Sequence, residues 1–226
     1  MRYEIHGTVL QSLDIQLNAS EAVYTESGGM AWYKGAIDME TNTRGGLMAG
    51  LGRALAGESL FMTTYTCSSG EGHITFTPEA PGKVVPVELG DGQVIICQRD
   101  AFMCAENSVL LEMHFRKRLG AGLFGGEGFI LQKVTGPGTA FFEVPGEVRE
   151  YTLGAGEVMR VDPGHLAIFD PSVDYDIGRV KGVKNILFGG EGLFLATLKG
   201  PGRAWLQTMP ISNLAAKLIP YLPKSR

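Results

Sequence analysis

The sequence predicts an all-β protein, and three observations lead to this prediction. Short segments rich in β-branched and aromatic residues recur along the chain and are bounded by Gly, Pro, Asp or Ser. Their turn signals recur at the spacing that is typical of sandwiches and barrels, which leaves no room for helical crossovers. The 32 glycines are spread over turn positions and form no low-complexity tract.

The predicted elements follow one another along the chain. The strands in the first part are residues 15–17, 23–25, 30–33, 60–65, 73–77 and 84–88. They continue with residues 94–98, 102–105, 109–115, 129–134, 140–144, 147–152, 158–161 and 166–169, and with counterparts in the last part. Pro-Gly pairs, among them Pro145-Gly146 and Pro163-Gly164, predict type II turns. Two helical segments are expected, a short connector at 47–56 and residues 213–219, with Ser212 as the N-cap and Pro220 as the stop.

The chain also repeats itself. The hexapeptide LFGGEG occurs at 123–128 and again at 187–192, and LAGES at 55–59 is a weaker copy. A shift of 64 residues without gaps carries 136–138 onto 200–202, 89–92 onto 153–156, and Glu106 onto Asp170. Residues 20–39 have the spacing of 92–115 and 156–178. We therefore expect one domain of three pseudo-symmetric tandem repeats, approximately 1–83, 84–147 and 148–226.

Charge and composition narrow the possible partners. The net charge of -4 gives no general attraction to nucleic acid or to anionic membranes. No segment approaches the ~18 apolar residues of a transmembrane helix, and the first residues do not begin a signal peptide. Cys67, Cys97 and Cys104 are an odd number without metal-site spacing, which indicates buried reduced thiols. We expect a cytoplasmic protein.

Five segments taken together resemble a known family. They are WYKGAIDMET (32–41), GGLMAGLGRALAGESLF (45–61), LGDGQVIICQRDAFMC (89–104), LFGGEGFILQKVTGPG (123–138) and LFGGEGLFLATLKGPG (187–202). The chain resembles the altered-inheritance-of-mitochondria 24 family, also known as domain of unknown function 124. The resemblance implies a barrel of double-stranded β-helix type, grouped with the tryptophan-sensing attenuator protein, and a tendency to form rings or trimers. Its eukaryotic members sit in mitochondria and support inner-membrane organisation. The resemblance implies no catalytic residues.

The residues themselves give little support for an enzyme. The histidines His6, His73, His114 and His165 are isolated, so the two-histidine cluster of a metal cupin is missing. His114 precedes the basic run 116–118, which we interpret as an exposed strand end without aromatic residues for base stacking. There is no G-x-S-x-G elbow and no Walker loop. We expect no catalytic residues and no cofactor.

One repeated set of carboxylates could act as a weak metal site. Glu58, Glu127 and Glu191 occupy equivalent positions, and a ring of carboxylates could hold a hard cation such as Ca²⁺ or Mg²⁺. The alternative that we favour is that each Glu accepts backbone N–H groups of a tight Gly turn. Equivalent positions in a wide barrel usually lie too far apart to share an ion.

The connector from Gly45 to Gly57 carries an apolar stripe of Leu47, Met48, Leu51 and Leu55. Such a stripe could form a lid, a subunit contact or a membrane-surface contact. Two hypotheses for function follow. The first is a non-enzymatic scaffold that forms a homo-oligomer, most simply a trimer, and presents its barrel to a protein or membrane partner. The alternative is a cupin-like enzyme or small-ligand-binding protein that uses the barrel interior.

Overall fold

The computed structural model describes residues 1–26, 29–42, 62–117, 129–179 and 194–222. The described part is all-β, as predicted, and all pairings between its strands are antiparallel. The first strands are β1 (Arg2–His6), β2 (Ser12–Asn18), β3 (Ala22–Glu26), β4 (Met30–Asn42) and β5 (Met62–Phe76). The next are β6 (Gly82–Leu89), β7 (Val94–Gln98), β8 (Phe102–Glu106), β9 (Leu110–Lys117), β10 (Phe129–Thr135) and β11 (Gly138–Pro145). The last are β12 (Val148–Leu153), β13 (Val158–Val161), β14 (Leu166–Phe169), β15 (Asp174–Arg179), β16 (Phe194–Lys199) and β17 (Gly202–Gln207).

Short helical elements complete the described part. Two 3₁₀ turns connect strands, η1 (Arg99–Ala101) between β7 and β8, and η2 (Pro163–His165) between β13 and β14. The chain then continues into an α-helix, α1 (Ile211–Leu218), and a third 3₁₀ turn, η3 (Ile219–Tyr221).

The strands form a nearly closed, barrel-like arrangement of three sheets. The first has the order β1-β2-β5-β3-β8-β11-β6, with β4 paired to β5. The second has the order β12-β17-β14-β7-β10-β9, and the third is β13-β16-β15. Because successive side chains of a strand point to opposite faces, a strand between two cores must be apolar on both. In β11, Phe142 belongs to one cluster of buried apolar side chains and Phe141 belongs to another, and both are fully buried.

The second and third parts of the described chain have equivalent strands. The strands β6 to β11 correspond to β12 to β17 in order, and β7 and β13 begin at residues 94 and 158, which are 64 residues apart. Gly138 lies against Glu106, Ser108 and Val109, and Gly202 lies in the same way against Asp170, Ser172 and Val173. The 64-residue overlay of the sequence therefore matches the described contacts of these two parts.

One turn occurs three times in the described chain, at residues 18–21, 90–93 and 154–157. In each turn the side chain of the last residue accepts a hydrogen bond from the backbone N–H of the first, at 2.7, 2.7 and 2.8 Å respectively. The third residue has a positive φ each time: Ser20 at 73°, Gly92 at 68° and Gly156 at 77°. Glycine adopts this conformation without a steric penalty, and Ser20 is the exception among the three. The double-stranded β-helix and the three-unit repeat remain predictions.

Several predicted elements differ from the structure. Residues 60–65 and 73–77 were expected to form two strands, but 62–76 form the single strand β5. It changes partner along its length, pairing with β3 through residues 62–66 and with β2 through 71–76. The type II prediction is wrong at Pro163-Gly164, which begin η2.

The C-terminal helix is confirmed, but its start was predicted two residues too late. It begins at Ile211, its N-cap is Pro210 and no side chain caps it, so Ser212 does not have the predicted role. It ends before Pro220, as expected. The predicted connector helix at 47–56 lies outside the described residues.

Candidate functional site

A polar pocket of about 440 Å³ lies where the segment between β5 and β6, the turn η1, strand β17 and the first turns of α1 come together. Its polar lining consists of Glu79, Gln98, Arg99, Asp100, Gln207 and Ser212. Two prolines and the side chains of Ile211 and Ala215 supply apolar contacts. Convergent polar groups in a concave site of this size are typical of a small-molecule site.

The acid Glu143 lies buried beside this pocket. It belongs to β11, and its Oε2 accepts a hydrogen bond of 2.7 Å from the backbone N–H of Glu79. The pKa of Glu143 is raised to about 7, mainly by burial and also by the nearby carboxylates of Glu79 and Asp100, against the lowering effect of the hydrogen bond. This carboxyl group is therefore poised to gain or lose its proton near neutral pH.

A second acid with a raised pKa, Glu26, is partly buried and is held by an amide. The Nε2 of Gln132 donates a 3.0 Å hydrogen bond to Oε1 of Glu26. Burial raises the pKa of Glu26, and the hydrogen bond from Gln132 and the charge of Arg99 oppose that rise. Gln132 is fully buried, and its Oε1 has no hydrogen-bond partner among the described residues.

The remaining polar groups around the pocket are tied to the fold. Arg99 Nε lies 3.2 Å from Asp100 Oδ1, which compensates the charge of that acid. Gln207 Nε2 donates to the carbonyl of Gly164 at 2.6 Å, and His165 Nδ1 lies 2.7 Å from the Gln207 carbonyl oxygen. Because a carbonyl oxygen only accepts, His165 Nδ1 carries the hydrogen. The pocket as a whole can accept hydrogen bonds and carries a net negative charge.

The carboxylates that the sequence suggested as metal ligands cannot be compared with the structure. Glu58, Glu127 and Glu191, and the connector from Gly45 to Gly57, lie outside the described residues. Within the part of the chain that is described, no three His, Cys, Asp or Glu side chains are grouped to hold a metal ion. The four histidines are dispersed. His6 Nε2 lies 3.3 Å from Asp14, His73 is on β5, His114 is exposed on β9 as predicted, and His165 follows η2.

The buried thiols were predicted correctly, but a buried acid, Glu143, and a buried amide, Gln132, were missed. Cys67, Cys97 and Cys104 are all free and buried, and burial raises the pKa of Cys104 well above its ordinary value. Glu143 and Gln132 went unnoticed, although each is a polar residue inside an apolar run, AFFEV and FILQKV. A polar residue at a core-facing position was the signal that could have found them.

Two exposed apolar surfaces lie away from the pocket's polar lining. The strand β4 carries Trp32 and Met39, each 58% exposed, together with the exposed Tyr33. The helix α1 has no buried residue, and the apolar side chains of Leu218 and, in η3, Tyr221 are exposed. None of the described helices combines the length and the hydrophobicity that a membrane crossing would need.

Comparison with known proteins agrees with the fold and the sequence motifs. Residues 3–209 match the family model described as Mitochondrial biogenesis AIM24. An uncharacterised protein of Streptococcus pyogenes is 30% identical over 234 residues, an alignment that covers 100% of this chain and 92% of that protein. The X-ray crystal structure of a Streptococcus pyogenes protein is similar with a TM-score of 0.80 and 26% identity, over 98% of this chain and 99% of the other. The predicted family resemblance is confirmed, and the chain belongs to the mitochondrial biogenesis AIM24 family.

Proposed function

We propose that this protein is a non-enzymatic scaffold that binds further copies of itself through the exposed strand β4. The observation that carries the proposal is the combination of length, edge position and apolar exposure in this strand. β4 runs for 13 residues, and among the described strands it pairs with β5 alone. An edge strand presents unpaired N–H and C=O groups along its free side and is a template for pairing with another chain.

The side chains of β4 support a contact with a second copy. Trp32, Tyr33 and Met39 expose large apolar side chains along one strand, with Trp32 and Tyr33 on opposite faces of it. A strand that pairs with this edge would place its own side chains beside them on both faces. The same strand carries a base, Lys34, and an acid, Asp38. Because both signs of charge occur on it, two copies can place opposite charges face to face. A partner whose surface carries only one sign of charge would place a like charge against either Lys34 or Asp38.

We also propose that the chain consists of three equivalent units, which would suit a scaffold. The turn that recurs at 18–21, 90–93 and 154–157 supports this, as does the position of β3. β3 and β7 begin at residues 22 and 94, 72 residues apart, and each directly follows that turn. Repeated units that stack on their neighbours build a rigid body whose purpose is to present surfaces.

Light scattering at micromolar concentration tests self-association. One chain has a mass of 24.3 kDa, so two copies paired through β4 would have about 49 kDa, and the trimer expected from the family resemblance about 73 kDa. Trp32→Lys and Met39→Lys should lower the mass toward that of one chain, because a charge on the edge strand opposes pairing. Leu110→Lys is the control, since Leu110 is also exposed (56%) but lies on β9.

Two results would contradict this proposal. One is a wild-type mass of 24.3 kDa at micromolar concentration. The other is an oligomer that neither β4 substitution disturbs, while circular dichroism shows that the variants are folded. The alternative of a cupin-like enzyme or ligand-binding protein receives no support from the described cores, which are filled by packed apolar side chains. The polar pocket lies outside these apolar cores.

A further inference from the structure

Gln98 differs in its role from the residue at the equivalent position of the next unit. Asp162 lies 64 residues after Gln98, and each is the N-cap of a 3₁₀ turn. The Asp162 carboxylate caps its turn by accepting from the Gly164 N–H at 2.9 Å, whereas the Gln98 side chain makes no cap hydrogen bond. Gln98 is only 7% exposed and lines the polar pocket. Among the described residues the Gln98 side chain forms no hydrogen bond, and its amide atoms are accessible from the cavity, where a ligand can bind them.

A second position differs between the same two units. Gln207 supports its turn by donating to the Gly164 carbonyl, and the residue 64 positions before it is the acid Glu143. Glu143 instead accepts from the backbone N–H of Glu79, a pocket residue. Where the third unit uses an aspartate and a glutamine to fix its turn, the second unit has a free amide and a buried acid beside a pocket.

The charges around the pocket select a cation. Arg99 compensates Asp100 through the 3.2 Å ion pair, but the Glu79 carboxylate has no ion pair among the described residues. The Glu79 carboxylate, the Gln98 amide oxygen and the Ser212 hydroxyl can each accept a hydrogen bond. An ammonium group has three N–H donors and no acceptor, which matches this set. Pro145, Pro210 and Ile211 offer an apolar wall to a short aliphatic chain.

We propose that the pocket lined by Glu79, Gln98 and Ser212 binds a primary alkylammonium group, carried by a small free amine or by a lysine side chain. Glu79 supplies the opposing charge, and Gln98 supplies a fixed acceptor that selects a hydrogen-bonding cation. A volume of about 440 Å³ accommodates a diamine of a few carbons. The site contains no residue of β4, so amine binding can be tested independently of self-association.

Binding should be linked to the protonation of Glu143. The groups that face Glu143 are Glu79 from the segment before β6, Asp100 from η1 and the Cys104 thiol from β8. A cation bound beside Glu79 favours the ionised form of Glu143 and lowers its pKa from about 7. Binding near neutral pH therefore releases protons, and the affinity rises between about pH 6 and pH 8.

The probe is 1,4-diaminobutane, followed by the NMR signals of the Gln98 side-chain amide and by calorimetry in two buffers of different ionisation enthalpy. We expect saturable shifts, proton release and a dissociation constant that Glu79→Gln weakens by about tenfold. Gln98→Leu should weaken it to a similar extent, and Glu88→Gln, an exposed acid on β6, should leave it unchanged. 1-Butanol, which has the chain without the charge, should produce no saturable shift.

Comparing 1,4-diaminobutane with N-acetyl-lysinamide shows whether the ammonium group belongs to a small free amine or to a lysine side chain. Tighter binding of the diamine assigns the site to free amines, and tighter binding of the lysine derivative assigns it to a protein side chain. Linear shifts up to about 50 mM amine, or the same response to 1-butanol, would overturn the proposal. So would unchanged affinity in Glu79→Gln, which alters an exposed side chain and is expected to fold like the wild type.

Discussion

Replacing Glu143 with glutamine should remove most of the loss of stability that this group causes as the pH rises. Burial, the largest effect, raises the pKa of Glu143 from 4.5 to about 7 in the folded protein. The folded state therefore holds this proton more tightly than the unfolded state. The contribution of Glu143 to the stability of the folded protein is therefore complete below the unfolded pKa of 4.5, and it is lost as the pH rises through about 7. At 1.36 kcal/mol per pKa unit, the difference amounts to about 3 kcal/mol.

The substitution suits this test because it changes charge with little change of shape. A glutamine keeps an oxygen that can accept the 2.7 Å hydrogen bond from the Glu79 N–H, but it does not titrate. Urea unfolding at about pH 5 and pH 8 should show the wild type losing up to about 3 kcal/mol, and Glu143→Gln losing clearly less. The exposed Glu88→Gln should retain the wild-type difference.

Parallel stability profiles for the wild type and Glu143→Gln would refute this reasoning, since they would mean that Glu143 ionises in the folded protein without a penalty. Some slope is expected to remain in Glu143→Gln, because burial also raises the pKa of Glu26. Adding Glu26→Gln to Glu143→Gln should flatten the dependence of stability on pH further. The difference between the single and the double variant gives the contribution of Glu26.

Further expectations concern equivalent glycines and one buried hydroxyl. Gly136→Ala and Gly200→Ala should destabilise by similar amounts, about 3 kcal/mol or more, because the new Cβ would overlap the carbonyl oxygens of Gly90 and Gly154. Gly92→Ala, at a positive φ but in open space, should cost only about 1 kcal/mol in urea unfolding, and similar losses at Gly136 and Gly92 would contradict the steric argument. Tyr175→Phe should stabilise by about 1 kcal/mol, since the hydroxyl is buried without a partner in the described residues while the ring stays between Phe129 and Phe169. A loss of stability would instead show that the hydroxyl forms a favourable contact.

The strands could be predicted because their signals are local. β7 and β13 have the predicted bounds, since each is a short segment that begins with Val and is followed by a turn. The strand β5 could not be predicted as one element. Its middle residues, SSGEG, have the composition of a turn, and Gly70 among them has a positive φ of 61°. They nevertheless stay within the strand because Gly72 pairs with both Leu17 of β2 and Gly35 of β4. Tertiary pairing thus overrides local propensity.

The pocket could not be predicted from the sequence for a related reason. Glu143 and Glu79 meet across 64 residues of chain, and the group of Glu79 that binds Glu143 is its backbone N–H. No side-chain motif records such a contact. The predicted histidine, cysteine and glutamate candidates were chosen by residue type, whereas the pocket is distinguished by a nearly buried amide, Gln98, that does not cap its turn.

The parts of the described chain before and after residue 147 differ at two positions of otherwise equivalent contacts. Residues 90–93 and 154–157 build the same turn, and Gly138 and Gly202 pack against equivalent neighbours. Gln98 and Glu143 lie 64 residues before Asp162 and Gln207, whose side chains stabilise η2. The turn η1 forms without a side-chain cap hydrogen bond from Gln98. The proposed amine site gives both residues a role, because Gln98 would accept a hydrogen bond from the ammonium group and Glu143 would release its proton on binding.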